Sequence, residues 1–337
     1  MPGNAVSADT SAGGLPELPP DSRPGRSKAA VAVIVVTYNS AQHIDDCLAS
    51  VVAQLPDANS FVLVFDNASA DDTAGLVEQR WPGVRVVRSD VNLGFARACN
   101  QAVSGLQPQF VLLVNPDAVL QPGCIDALLD AARRHPGAGL YGGRSFTPHG
   151  EVDVNSCFGR PSLWSTFCFA TGLSTVFRRS SWLNAEGMGA WLRDTERAVG
   201  VISGLLLLVD RLAWERLGGF DEDFFMYGED VDLSVRAARL RYTPMITPAA
   251  RVVHIGGASS SPVNRQILLY RGKITLARKS WTGPRRWTGE SLIVGGVLMR
   301  ALFAGIRAHG GESTRTEPAT WAELWRRRSE WRGGWSA

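Results

Sequence analysis

The chain has 337 residues, 45% of them hydrophobic and 20% charged. That length allows about two domains or one large α/β unit, and the composition excludes both wholesale disorder and a multispan membrane protein. With 35 Lys and Arg against 32 Asp and Glu the net charge is +3, too balanced for a dedicated nucleic-acid binder, so no nucleic-acid partner is expected.

In chain order, residues 1–28 are rich in Pro, Gly, Ser and Ala and lack periodicity, which predicts a disordered leader; without an apolar h-region it is not a secretory signal. From Val31 a rhythm begins. Val31–Val36, Phe61–Phe65, Val84–Val87 and Phe110–Val114 are short apolar runs of the kind a parallel sheet buries. Residues 41–54, 71–80 and 95–106 between them have helical spacing. Strands alternating with helices predict βαβ units and a doubly wound, mostly parallel α/β sheet flanked by helices.

The second half is less regular. Residues 140–200 mix Gly, Pro and aromatics, among them Trp164 and Trp182, and are expected to contain long functional loops. Ser203–Val209 is another buried strand, and helices are expected over Arg211–Leu217 and Asp230–Leu240. Residues 281–337 form a helical C-terminal extension that holds six of the eleven tryptophans and nine Arg but no Lys. Its apolar stretch Ser291–Ile306 is short for a membrane span. Two readings stand: a basic, Trp-rich segment lying on an anionic membrane as a peripheral contact, or helices packed on the preceding domain. The five cysteines, Cys47, Cys99, Cys124, Cys157 and Cys168, form no C-x-x-C pair and read as free thiols of a reducing, cytoplasmic protein, peripheral on the inner membrane face if the tail binds lipid.

In an open parallel sheet, ligands bind beyond the carboxyl ends of the strands. Polar clusters lie there: Thr37-Tyr38-Asn39, Asp66-Asn67-Ala68-Ser69, Asn92-Leu93-Gly94-Phe95-Ala96-Arg97 and Asn115-Pro116-Asp117. A nucleotide suits this edge, with Tyr38 offering an aromatic face and Asp66 an acceptor for a pyrimidine imide. Gly94 would permit close backbone approach, and Arg97 would carry charge for phosphate. The same Asp66 tetrapeptide also reads as a strand-ending turn and helix N-cap. Gly137–Gly142 matches G-x-G-x-x-G but follows a helix rather than a strand, so a helix C-cap explains it better than a dinucleotide site. Asn115 and Asp117 supply oxygen atoms of the type a divalent cation takes. Between Asp221 and Asp232 six acids interleave with Phe220, Phe224, Phe225, Met226 and Tyr227; carboxylates in apolar surroundings suit a general base. His254, after Val252-Val253, is either a metal or phosphate ligand or a structural histidine.

Taken in order, Val33-Ile-Val-Val-Thr-Tyr-Asn39, Asp66-Asn-Ala-Ser69, Asn92-Leu-Gly-Phe-Ala96, Asn115-Pro-Asp117, Gly219-Phe-Asp-Glu222, Phe225-Met-Tyr-Gly-Glu-Asp-Val-Asp-Leu233 and His254 resemble the family 2 glycosyltransferases of GT-A fold. The nearest resemblance is to the bacterial rhamnosyltransferase-like enzymes of cell-wall and polysaccharide synthesis. The likeness spans roughly residues 30–280, which divides the chain into a leader (1–28), a transferase domain (29–280) with nucleotide-sugar (29–135) and acceptor (136–280) halves, and the extension (281–337). It implies inverting transfer of a sugar, with rhamnose the candidate, from a dTDP- or UDP-linked donor to a glycan or polyprenyl-linked acceptor, with Mg²⁺ or Mn²⁺ on the diphosphate. By the same resemblance Thr37, Tyr38, Asn39, Asp66, Asn67, Asn92, Gly94, Arg97 and Asn115 fall at donor-binding positions, and Asp117 and His254 at the metal. Asp230 falls at the general base, with Glu229 beside it. Gly204 and Trp164 are expected on the acceptor side from position and composition. Asn115 stands where the family's D-x-D has its first Asp, and a neutral amide is the poorer cation ligand. That departure keeps a non-catalytic, sugar-nucleotide-binding scaffold as an alternative. A nucleotidyltransferase is the other, disfavoured because Thr37–Ala41 lacks the glycine and lysine of a phosphate loop.

Overall fold

The computed structural model describes residues 30–256, 261–309 and 317–335; the leader expected at 1–28 lies outside the described residues. The first half runs β1 (Val31–Thr37), α1 (Ile44–Val52), β2 (Phe61–Asn67), α2 (Thr73–Arg80), β3 (Arg85–Ser89), α3 (Phe95–Val103), β4 (Phe110–Val114), β5 (Ala118–Leu120), α4 (Cys124–Arg134) and β6 (Leu140–Phe146). Then follow β7 (Val152–Asp153), β8 (Cys157–Phe158), α5 (Leu163–Ala170), α6 (Leu173–Val176), β9 (Arg197–Ala198), β10 (Val201–Ile202) and β11 (Leu206–Asp210). The chain continues through α7 (Arg211–Leu217), α8 (Glu229–Arg239), β12 (Met245–His254), α9 (Pro262–Ser280), α10 (Gly283–His309) and α11 (Glu317–Arg326).

The main sheet has the order β3-β2-β1-β4-β11-β6-β12-β5, with β7 beside β6 and β9 beside β12. The first four strands are parallel. β11 enters antiparallel between β4 and β6, and β12 runs parallel to β6. Strand order reverses between β1 and β4, which opens a crevice beyond their carboxyl ends. Because β11 is antiparallel, its first residues lie at that same edge: Leu206 pairs with Val114.

Every residue of β1 is buried. Side chains alternate across a strand, so Val31, Val33 and Val35 join Ile44, Leu48 and Leu128 on one face, while Ala32, Ile34 and Val36 join Cys99, Trp214 and Leu233 on the other. A third cluster is separate: Tyr270 and Ile274 of α9, Val297 of α10, Leu324 of α11 and the fully buried Trp331. Packing on the domain therefore describes Trp321–Trp331, two of whose tryptophans, Trp321 and Trp325, also lie against this cluster. Among the described residues no helix is long and apolar enough to cross a membrane.

Within residues 140–200, β6 lies in the sheet and β7–β9, α5 and α6 follow it, and a long loop of the kind expected there runs over 177–196. One expectation needs correction: the Gly137–Gly142 run is not a C-cap. His135 caps α4, Gly139 turns the chain at φ +71°, and Gly142 is already inside β6.

The helical unit touches the domain closely at Gly272 of α9, where a Cβ would overlap the carbonyl of Tyr227, whereas Gly295 of α10 has open space. Gly272→Ala should lose about 1–3 kcal/mol as an overpacked contact, and Gly295→Ala should gain about 0.5–1 kcal/mol from helix propensity alone. Urea unfolding of both variants checks this, and equal effects would contradict the packing described.

Candidate active site

At the ends of β1 and β2 the side chains first bind one another. Thr37 Oγ1 donates to Asp66 Oδ1 at 2.9 Å, and Ser69 donates its amide to Asp66 Oδ2 at 3.2 Å and its hydroxyl to Oδ1 at 2.5 Å. Asn39, at φ +53°, accepts from the Ala70 amide at 2.7 Å and donates its own amide to Ser69 Oγ at 3.0 Å. Asp66 is thus both a buried turn clip and a carboxylate at the crevice edge, as the two readings of its tetrapeptide allow. Tyr38 beside it is exposed, leaving its ring free for a planar ligand.

Asn67 and Asn92 build the next turn. Asn67 Nδ2 donates to Asn92 Oδ1 at 3.0 Å, Asn67 Oδ1 accepts from the Leu93 amide at 2.8 Å, and Asn92 Oδ1 accepts from the Gly94 amide at 2.9 Å. Two donor-side expectations change here. The backbone that Gly94 approaches is the chain's own: a Cβ would overlap the Phe225 carbonyl, which accepts from the Phe95 amide at 2.7 Å. Arg97 faces Glu222 at 3.6 Å and lines a cavity of about 680 Å³ with Asn100, Trp214 and Glu215 on the α3–α7 surface. Its charge faces a half-exposed carboxylate there. Asn100 grips the acidic loop, donating to the Phe220 carbonyl and accepting from its amide, both at 2.9 Å.

That loop sorts its own acids. Asp221 and Asp223 pair with Lys279, Glu222 with Arg97, and Asp232 with Arg236. Glu229 and Asp230 alone of the six have no cation partner among the described residues. Both open α8, behind Tyr227 and Gly228 at φ +65° and +106°, where the helix N-terminus favours negative charge. They point differently. Asp230 accepts from the Gly204 amide at 3.1 Å through Oδ2 and from the Val231 amide at 2.8 Å through Oδ1. Burial pushes its pKa up despite these bonds. Glu229 is buried, with one carboxyl oxygen lacking any partner; burial first, and then the charge of Asp230, raise it to about 8.

The residue after Gly204 closes the arrangement, since the Leu205 carbonyl accepts from the Asn115 amide at 3.1 Å. One short turn therefore holds Asp230 on one side and the Asn115-Pro116-Asp117 corner on the other. Gly204, expected to shape the acceptor side, is buried and spends its amide on Asp230. Trp164 stacks on Phe167 and contacts Trp182, with ring centroids 5.7 and 4.6 Å apart, in an exposed cluster on α5; no such contact joins it to Asp230.

Across the crevice β12 pairs with β5, setting His254 opposite Ala118. His254 Nε2 lies 3.3 Å from Asp117 Oδ2, and Nδ1 lies 3.4 Å from Asp153 Oδ2. Hydrogen bonds to Asp117 and then Asp153 raise the imidazole to about 9. Burial opposes the charge of Asp153, yet the bonds from His254 and Asn155 hold it below the usual carboxylate range. Sequence reasoning missed Asp153 because it lies in a two-residue strand, and only the Ser145–Asp153 pairing of β6 and β7 brings it to His254. Among the described residues no three His, Cys, Asp or Glu side chains form a complete metal cage. Asp117, with the Nε2 of His254 once that nitrogen has given up its proton, is a partial donor set, which fits a hard cation taking its other ligands from phosphate and water.

Residues 32–164 match the Glycosyl transferase family 2 model. The chain is 37% identical over 273 residues to the N-acetylglucosaminyl-diphospho-decaprenol L-rhamnosyltransferase of Mycobacterium tuberculosis, covering 76% of this chain and 88% of that one. It is 26% identical to the O-antigen biosynthesis protein RfbC of Myxococcus xanthus, over 85% of this chain but 22% of that one. Among solved structures, a mannosyltransferase from Pyrobaculum calidifontis, in complex with GDP-Man and Mn²⁺, superposes with a TM-score of 0.56 at 20% identity, over 90% of this chain and 86% of that one. This likeness establishes a GT-A-type fold.

Glu229 ionises near 4.5 when unperturbed and near 8 in the folded chain. Between those values the folded state binds the extra proton, so stability falls as pH rises through that window. Glu229→Gln removes this contribution, and its melting temperature should decline less than the wild type's between about pH 5 and pH 9. Thermal melts across that range check it; parallel declines would contradict the buried, protonated carboxyl.

Proposed function

The chain belongs to glycosyl transferase family 2, and on that footing we propose that it moves L-rhamnose from a nucleoside diphosphate to a hydroxyl of a polyprenyl-diphosphate-linked glycan, inverting the anomeric centre. It is a glycosyltransferase; the sugar and acceptor follow the named activity of the mycobacterial relative. The observation that carries the reading is Asp230, a carboxylate without a cation partner among the described residues, aimed by the Gly204 amide beside the corner that bears Asp117.

Asp230 is the general base. A carboxylate whose pKa is raised by burial takes a proton more readily than a surface acid, and two backbone amides fix its orientation. It removes the proton from the acceptor hydroxyl as that oxygen attacks the anomeric carbon, and one displacement opposite the leaving group inverts the configuration. Glu229, kept neutral by burial, places no second charge beside the base at neutral pH. On the donor side Tyr38 offers its ring to the base and Asp66 its carboxylate to an imide N–H, while Thr37, Asn39, Asn67 and Asn92 hold the turns that form the edge. Asp117 and His254, with Asn115 beside them, would hold Mg²⁺ or Mn²⁺, which supplies positive charge against the departing diphosphate. Asp153 orients His254: a carboxylate on Nδ1 fixes the ring so that Nε2 faces Asp117.

Asp230→Asn should lower turnover at least about a hundredfold while donor affinity stays near the wild type's; steady-state kinetics with isothermal titration of the donor check this, and a near-normal rate would remove Asp230 as the base. Asp153→Asn should weaken Mn²⁺ binding by about 10- to 100-fold, read directly by electron paramagnetic resonance of free Mn²⁺. Unchanged Mn²⁺ affinity would confine Asp153 to a structural role.

A further inference from the structure

We infer that the protein seats on an anionic lipid bilayer through the solvent face of α10 and the adjoining α5–α6 segment, while Trp321, Trp325 and Trp331 pack inward. The inference rests on the lipid-linked acceptor of the proposed function for its purpose, while its evidence is a separate surface.

Helix α10 contains one acid after Gly283, Glu290, which is bound inward by Arg278 and Arg286. Its Arg300 also turns inward, donating to the Phe169 carbonyl at 2.8 Å and to Thr175 Oγ1 at 3.3 Å. Beyond the exposed Arg285 and Arg286 at its start, α10 leaves large apolar side chains outside: Trp287 is 74% exposed, and Met299, Leu302 and Phe303 are exposed as well. Thr175, held by Arg300, precedes Val176 and Phe177, so the apolar surface continues from α10 onto α6 and on to Trp182. Single exposed apolar residues need no explanation, but a contiguous surface of them marks an interaction site.

The charge around this surface selects the partner. No Asp or Glu occurs between Asp153 and Glu186, and the consecutive Arg178 and Arg179 there are exposed. At the other end, beside Trp287, a cavity of about 1140 Å³ is lined by Arg278, Arg286, Arg326, Arg328 and Arg332 against Glu290. An apolar, aromatic face with arginines at both ends matches acyl chains below and phosphate headgroups around them. A second copy meeting through the same face would bring its arginines against these. At 27 residues α10 is about 40 Å long, so it would lie along the membrane surface. Helix α9 links this surface to the site: Tyr270 packs on Phe169 of α5, and Gly272 presses on the turn before Glu229.

Flotation of the full chain tests the inference, using phosphatidylcholine vesicles with and without about 30% phosphatidylglycerol. The wild type should float with the anionic vesicles and not with the neutral ones. Phe177→Glu combined with Leu302→Glu should weaken that binding about tenfold or more while keeping the wild-type melting temperature and rate on a water-soluble acceptor. Failure of the wild type to float on anionic vesicles would overturn the inference. So would flotation of the double variant at the wild-type level, or a dimer seen by light scattering that the two substitutions dissolve. Intact flotation in a protein that transfers no sugar to the soluble acceptor would support the surface and sink the proposed function instead.

Discussion

The cleft depends on the backbone of two adjacent residues. The Gly204 amide holds the carboxylate of Asp230, and the Leu205 carbonyl takes the amide of Asn115, so residues more than a hundred positions apart in the chain meet at one turn. A hydrogen bond to a charged group contributes about 1.5–3 kcal/mol, and here it also sets direction. The turn can do this because β11 enters the sheet antiparallel, with its first residue beside the last of β4. A parallel β11 would put its start at the opposite edge, away from Asp117 and from the crevice between β1 and β4.

Electrostatics then divides labour among similar residues. Four of the six acids in the 221–232 segment are neutralised by Lys279, Arg97 and Arg236, and those pairs pin the loop to α3 and α9. The remaining two differ by orientation: Glu229 is sunk and driven toward its neutral form, while Asp230 stays half-buried between backbone amides. On the donor side, Asp153 holds the imidazole of His254 with its Nε2 toward Asp117.

Much of the fold was legible because strands buried on both faces must read as unbroken apolar runs, as β1, β2 and β4 do. β6 does not read that way. Its Leu-Tyr-Gly-Gly-Arg-Ser-Phe sequence is shaped by neighbours: a Cβ on Gly142 would meet Ile202 at 2.5 Å and Ile246 at 2.8 Å, contacts that no local pattern announces. The polar clusters at the strand ends were legible as an edge, but their inward hydrogen bonds were not. Arg97 and Gly94 sit in the expected segment yet serve the chain's own loop. Asp153 was hidden because its only local context is a two-residue strand. The tryptophans of the tail allowed two readings, and burial separates them: Trp331 is core, whereas Trp287 on α10 is exposed.

The central claim is that Asp230 and Asp117 address a single bound donor. Crystals grown with a nucleoside diphosphate sugar and Mn²⁺, with manganese located by its anomalous scattering, would test it most directly. The account predicts a manganese peak in contact with Asp117 and His254 Nε2, and the anomeric carbon facing the Asp230 carboxyl. A donor seated elsewhere, or an Asp230 carboxyl out of reach of an acceptor oxygen at that carbon, would contradict it.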